Sequence, residues 1–288
     1  MALGLHFFRG AYPMSQAPGQ RVPCQRFELQ LDRFSSQQLD RTGHIWHIDQ
    51  FLTEEEVNHF RRIGAGSAKM MSSASYGAVE FRRPWESSAD QVALQVEDRI
   101  SALTSIPPNR NDSPLRMAVN REWAGELDNS STNQLQNLHH DKLRAPERVV
   151  TVLIYLSDAA ADGLSGGDTL FPCARTAMDA PPSALCRRLE RAYADGDLFL
   201  SPPNGIYKSI ECFDTAAAGA ASLLCSVGGT DDEWDSVLRV SPARGSAVVF
   251  LQESTEPDAA DLWHMWHGGC RVTSGEKWTM QQFKALPA

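Results

Sequence analysis

The chain has no stretch approaching the ~20 consecutive apolar residues that a membrane-spanning helix requires, so a helical anchor is not expected and the protein reads as soluble. Positive charge is scarce too. Against 36 Asp and Glu there are 27 Lys and Arg, a formal net charge of -9, with no basic stripe to neutralise phosphates; a nucleic-acid partner is disfavoured. The six cysteines, Cys24, Cys173, Cys186, Cys212, Cys225 and Cys270, include no Cys-x-x-Cys pair, which argues against a structural zinc site. Cys173 to Cys186 and Cys212 to Cys225 are each 13 positions apart, a spacing that permits disulfides without requiring them, and six free, mostly buried thiols are expected. The opening Met1 to Arg9 lacks a basic leader and is interrupted by Gly4 and His6, so no clear secretory signal is present, and the compartment stays open between cytoplasm and endoplasmic reticulum lumen.

What is there is the composition of an ordinary globular chain, 42% hydrophobic and 22% charged over 288 residues, enough for one large domain. Residues 1–43 mix Pro, Gly, Gln and Ser without periodicity and read as an irregular N-terminal arm. From Ile45 to Phe51 a short strand is expected. Thr53 and Glu56 then form a capping box for a helix whose inner face carries Val57, Phe60 and Ile63. Ser88 with Gln91 offers a second box, ahead of Val92, Val96, Ile100 and Leu103 at helical spacing. Leu115, Met117 and Val119 switch to period two, and a polar loop from Asp128 to Asn137 leads to His139. Val149 to Leu156 is a nearly unbroken β-branched and apolar run, the composition of a strand buried on both faces. Strands interleaved with turns and preceded by helices argue for a mainly β fold with flanking helices, built on a double-stranded β-helix, the jelly-roll or cupin-like architecture.

Chemistry concentrates in two places. In an extended segment His139 and Asp141 point the same way while His140 points away. Downstream, the block from His267 to Trp278 adds an imidazole and Lys277. Two His and one carboxylate on one face, with positions left open, suit a non-haem Fe(II) site, and a lysine is a natural anchor for the carboxylate of a keto acid. His264, three residues before His267, competes for the distal ligand position.

The blocks His139-x-Asp141, Arg148-Val149-Val150-Thr151 through Tyr155-Leu156, Gly166-Gly167-Asp168-Thr169-Leu170-Phe171-Pro172, Gly245 to Phe250 and His267 to Lys277 stand in the order of the prolyl 4-hydroxylase branch of the Fe(II)- and 2-oxoglutarate-dependent dioxygenases, which the chain resembles over roughly residues 45–284. In that family the lysine follows the distal histidine by ten positions, which selects His267 over His264. The resemblance implies a domain over 44–288, with iron held by His139, Asp141 and His267. Lys277 would pair with the C5 carboxylate of 2-oxoglutarate, with a hydrogen bond from Thr169. It further implies O2 as co-substrate, succinate and CO2 as co-products, L-ascorbate as reductant, and hydroxylation of a peptidyl proline in a protein or peptide substrate. A halide is disfavoured because Asp141 occupies the position it would need. Gln136, Arg271 and Phe283 replace residues that the family places near the co-substrate pocket. A lysyl residue or another substrate therefore stays open, as does a catalytically silent cupin-like binding module. Residues 173–236 exceed the family's usual connection and read as an insert, with a helix over Ser183 to Tyr193 and a turn at Pro202 to Gly205, either covering the site or forming a surface excursion.

Overall fold

A computed structural model describes residues 28–71, 76–81, 89–121, 136–139, 141, 147–174, 186–187, 237–252, 265–270 and 272–286. In chain order the strands are β1 (Ser36–Gln38), β2 (Ile45–Ile48), β3 (Tyr76–Glu80), β4 (Arg116–Arg121), β5 (Gln136–His139), β6 (Arg148–Tyr155), β7 (Ser165–Gly166), β8 (Thr169–Phe171), β9 (Leu238–Val240), β10 (Ala247–Leu251), β11 (His267–Gly269), β12 (Val272–Ser274) and β13 (Glu276–Ala285). The helices are α1 (Glu54–Gly66), α2 (Ala68–Met71), α3 (Gln91–Thr104) and α4 (Ala159–Asp162). A large sheet runs β1-β2-β10-β6-β13-β4-β3, a smaller one β5-β11-β8-β9, and β12 pairs with β7. This is the jelly-roll arrangement expected from the strand pattern, with helices against one sheet.

Period two along the central strands produces the layering. Val150, Val152 and Ile154 of β6, Ala247, Val249 and Leu251 of β10, and Trp278 and Met280 of β13 join Val57 and Phe60 of α1 and Val96, Ile100 and Leu103 of α3 in one core. The alternate residues Tyr155, Val248 and Phe250 face the other way and meet Phe171, Leu238, Val240 and Met265 between the sheets. β6 is thus buried on both faces, as its composition predicts. Helix α1 lies flush on β13: a Cβ at Gly64 would fall 2.2 Å from Trp278 Cζ3, so no larger residue fits without moving the helix.

The Thr53 capping box forms as expected, with Glu56 N–H donating to Thr53 Oγ1 and Thr53 N–H to the Glu56 carboxylate. The second helix is capped differently. Asp90, not Ser88, is its N-cap and accepts from Ala93 N–H at 2.9 Å, because the helix begins at Gln91, which is therefore its first residue and not the third that a box from Ser88 needs. Position 88 itself lies outside the described residues. Two strand boundaries also differ. Gln136 and Asn137 belong to β5 rather than to the preceding loop. β1 pairs antiparallel with β2, so the end of the arm is tied to the sheet and not irregular to residue 43. Of the helix expected over Ser183 to Tyr193 only Cys186 and Arg187 are described, both helical; the turn at 202–205 lies outside the described residues.

Cysteine chemistry is the main correction. Cys173 and Cys186 form a disulfide and Cys270 is disulfide-bonded as well, so six free thiols are ruled out. Spacing left the pairing undecided, whereas the fold seats Cys173 just past β8 with the Cys186 backbone 5.0 Å away between Cα atoms, within bonding geometry. Cys24, Cys212 and Cys225 lie outside the described residues. With both bonds closed, denaturation without reductant should expose at most two of the six thiols, and labelling of all six would contradict the disulfides.

On the helix side of β13, buried Lys284 ion-pairs with buried Asp112, which also accepts from Asn109 N–H and Ala285 N–H. Asp112→Ala leaves the ammonium enclosed without its counter-charge. About 3–5 kcal/mol of stability should be lost in denaturant titration, and adding Lys284→Met should restore the part due to the unpaired charge but not the part due to the Asn109 and Ala285 N–H groups.

Candidate metal and anion site

The smaller sheet brings the first group of site residues together. β11 runs antiparallel to β5 with His267 opposite His139. The backbone of His139 is therefore placed; its imidazole lies outside the described side chains. Asp141 follows just beyond the end of β5 and is buried, its Oδ2 3.6 Å from His267 Nε2. The His267 Nδ1–H donates to the Met265 carbonyl at 2.9 Å, which fixes the tautomer and leaves the Nε2 lone pair directed at Asp141. Phe250 and Phe171 stand against this imidazole, with ring centroids 4.6 and 5.8 Å away. A neutral imidazole and a carboxylate closer together than two metal–ligand bonds of about 2.1 Å, behind an aromatic wall, suit one divalent ion. His140 and His264 lie outside the described residues.

The second group sits between the sheets. Lys277, on β13, is only 6% exposed, and its Nζ lies 5.6 Å from the Tyr155 ring centroid. Burial pushes its ammonium down to about 8, with Asp168 pulling weakly the other way. Asp168 is already engaged: its Oδ2 accepts from Arg239 at 2.7 Å, and Lys277 makes no ion pair among the described residues. Gly167 adopts φ +76°, and a Cβ there would fall 3.1 Å from Lys277 Cδ, so the Gly-Gly turn both reverses the chain and clears a path for the lysine stem. Thr169 is buried and accepts a hydrogen bond from the Tyr155 hydroxyl at 2.7 Å. Burial raises the Tyr155 pKa, so the phenol stays a neutral donor.

Tyr155 stands in the Arg148–Leu156 motif, but the sequence assigns it no role in the site. The available signal is parity, since 151, 153 and 155 share the face of β6 opposite the helices. Phe283 lies beneath the Arg148 guanidinium, 3.8 Å from its ring centroid, and Arg148 Nη1 donates to the Asp141 carbonyl, so this departure lies on the Asp141 side of the interior. Gln136 pairs with Gly269 across β5 and β11, and Arg271 lies outside the described residues.

Taken together, a jelly roll with a close imidazole–carboxylate pair and a buried ammonium that has no ion pair among the described residues suits a metal- and oxoacid-binding protein. A model of the 2OG-Fe(II) oxygenase superfamily matches residues 129–284, and the chain belongs to that superfamily, whose cofactor is Fe(II) and whose co-substrates are 2-oxoglutarate and O2. Among relatives, the probable prolyl 4-hydroxylase 4 of Arabidopsis thaliana is 27% identical over 245 residues, covering 80% of this chain and 63% of the relative. Prolyl 4-hydroxylase 2 of the same plant is 26% identical over 197 residues, 66% of this chain and 46% of the relative. The chain thus spans about half to two thirds of the length of these relatives. A viral collagen prolyl hydroxylase from Paramecium Bursaria Chlorella virus-1, solved as a 2OG complex, aligns over 85% of this chain and 97% of its own, with 13% identity and a TM-score of 0.46.

If Lys277, held at about 8 by burial, receives a carboxylate of 2-oxoglutarate, that binding is pH-dependent with a sign that follows from linkage. The bound anion favours protonated Lys277, so 2-oxoglutarate affinity should be flat below about pH 7 and fall toward tenfold per unit above about 8. Lys277→Arg should bind more weakly than wild type but without that pH dependence. Lys277→Ala should lose about 3–5 kcal/mol, roughly a hundred- to several-thousand-fold in Kd, while metal affinity stays nearly unchanged. Calorimetric titration across pH on the three proteins checks each part.

Proposed function

We propose that this protein is an Fe(II)- and 2-oxoglutarate-dependent dioxygenase that hydroxylates a peptidyl proline, a prolyl 4-hydroxylase-like activity. The observation that carries the reading is the buried Lys277 ammonium, which has no carboxylate partner among the described residues, in the same interior as the Asp141–His267 pair. Such a cation is stable where a ligand brings the missing negative charge. His139, Asp141 and His267 would hold the iron, the last through Nε2. Lys277 would receive the C5 carboxylate of 2-oxoglutarate, with Tyr155 and Thr169 as neutral hydrogen-bonding neighbours. Iron with 2-oxoglutarate and O2, when bound, supplies the oxidising power to place oxygen into an unactivated C–H bond, leaving succinate and CO2. The chain's own part is to fix those ligands, shield them with Phe171 and Phe250, and admit the target residue. L-ascorbate is the proposed reductant for iron left over-oxidised.

The names of the relatives support proline as the target and a proline-containing protein or peptide as the partner. We further assign one catalytic domain that takes in β1 along with residues 44–288, with 173–236 as an insert. No helix among the described residues is long and apolar enough to cross a membrane. Of the two compartments left open by the sequence, the Cys173–Cys186 disulfide supports the oxidising lumen.

The test is incubation with Fe(II), 2-oxoglutarate, ascorbate and a panel of proline-rich peptides, read by mass spectrometry and by succinate release. Addition of one oxygen to proline with stoichiometric succinate is the expected result. Oxygen on lysine would move the substrate but keep the chemistry. Bound iron with neither succinate nor modified peptide would favour a cupin-like binding module.

A further inference from the structure

We propose that Thr151 and Gln252 are positioning residues for Asp141: they hold its carboxylate turned toward His267 and thereby set the affinity of the site for a divalent ion. This rests on the metal-site reading above. Asp141 lies past the last residue of β5, where two buried side chains reach its carboxylate. Its orientation comes from these side chains. Thr151 Oγ1 donates to Asp141 Oδ2 at 2.7 Å, and Gln252 Nε2 donates to the same oxygen at 3.3 Å and to Thr151 Oγ1 at 3.2 Å. All three residues are buried. The two donors are rigidly mounted. Thr151 sits inside β6, and Gln252 follows β10 directly, its own N–H bonded to the Val149 carbonyl at 2.7 Å.

A carboxylate held at one oxygen by both groups cannot rotate about Cβ–Cγ without breaking both bonds, and the cross-link between the donors makes them act as a unit. Arg148 adds a backbone clamp, Nη1 to the Asp141 carbonyl, while stacked on Phe283. The inference is therefore that the threonine of the Arg148–Thr151 segment serves the metal through Asp141, and that Gln252 completes the hold from the neighbouring strand. Groups that orient a ligand in this way shift metal affinity without touching the metal.

Anaerobic Co(II) titration, followed by the visible absorption of the bound ion, tests this without turnover. Thr151→Val and Gln252→Met should each weaken Co(II) binding about 10- to 100-fold, while Thr151→Ser, which keeps the hydroxyl, should stay within about threefold of wild type. The double variant should lose less than the product of the two single losses, because each donor also supports the other. Thermal melts report folding separately. A folded Thr151→Val protein with wild-type Co(II) affinity and spectrum would overturn the proposal. Should that variant fail to fold, Gln252→Met decides in its place, with the same two outcomes. Asp141→Ala and His267→Ala test the underlying site: both should abolish Co(II) binding. Retained binding in those two would remove the metal site itself, whatever the behaviour of Thr151.

Discussion

Two lysines on one strand show what the rest of the structure is arranged around. Lys277 and Lys284 both lie on β13, both are buried, and burial pushes both ammoniums down from their usual range. Seven positions apart, an odd number, they face opposite sides of the sheet. Lys284, on the helix side, finds Asp112, Ser101 and the Pro107 carbonyl. Lys277, on the interior side, meets the face of Tyr155 and an Asp168 already bonded to Arg239. Enclosing a charge costs several kcal/mol unless it is paired. The fold meets that cost with Asp112 for Lys284 and supplies Lys277 with no carboxylate partner among the described residues. The same physics thus makes one lysine part of the scaffold and makes the other a candidate for the site proposed above.

The interior around Lys277 depends in turn on residues that leave room. Gly167 lets the stem pass, and a Cβ on Gly269 would come within 4.0 Å of Nζ. Thr169, opposite Gly269 in the β8–β11 ladder, and the Tyr155 hydroxyl bonded to it supply neutral polar groups but no negative charge. A carboxylate in any of these places would neutralise the ammonium and compete with a dicarboxylate ligand. Asp168 comes nearest to that role, and Arg239 draws its carboxylate away.

Much of this was legible in the sequence where a strong periodicity or a long motif carried it. The β6 run, the Thr53 capping box and the helical spacing from Val92 to Leu103 all read directly. What escaped reading had weak local signals. Tyr155 inside an apolar run looks like core filler, and only the fold shows its hydroxyl reaching Thr169. Gln252 at a strand end looks solvent-facing, yet it is fully buried against Asp141 and Thr151. β1 is Ser-Gln-Gln, with no apolar signal of its own, and exists because β2 offers it an edge. Ser88 and Asp90 are both competent caps two residues apart, and spacing alone could not choose between them. Equal cysteine spacings could not reveal that Cys173 and Cys186 meet.

The ten-residue step itself has a geometric cause. His267 belongs to the smaller sheet and Lys277 to the larger, so the chain between them must change sheets. It does so through β12, paired with β7, and then turns at Gly275, where φ is +76° and a Cβ would fall 3.1 Å from the Gly163 carbonyl oxygen. The turn sets the parity of β13. With Glu276 opposite Arg121 in the ladder, Lys277 and Thr279 face the interior while Trp278 and Met280 pack against the helices. One residue more or fewer before Glu276 would exchange the two faces. The indole would then enter the interior beside Tyr155 and Thr169, and the ammonium would be driven into the apolar contact with Gly64. The spacing is therefore held by two costs at once: an aromatic ring in the polar interior beside Tyr155 and Thr169, and a charge where α1 requires a flat apolar surface.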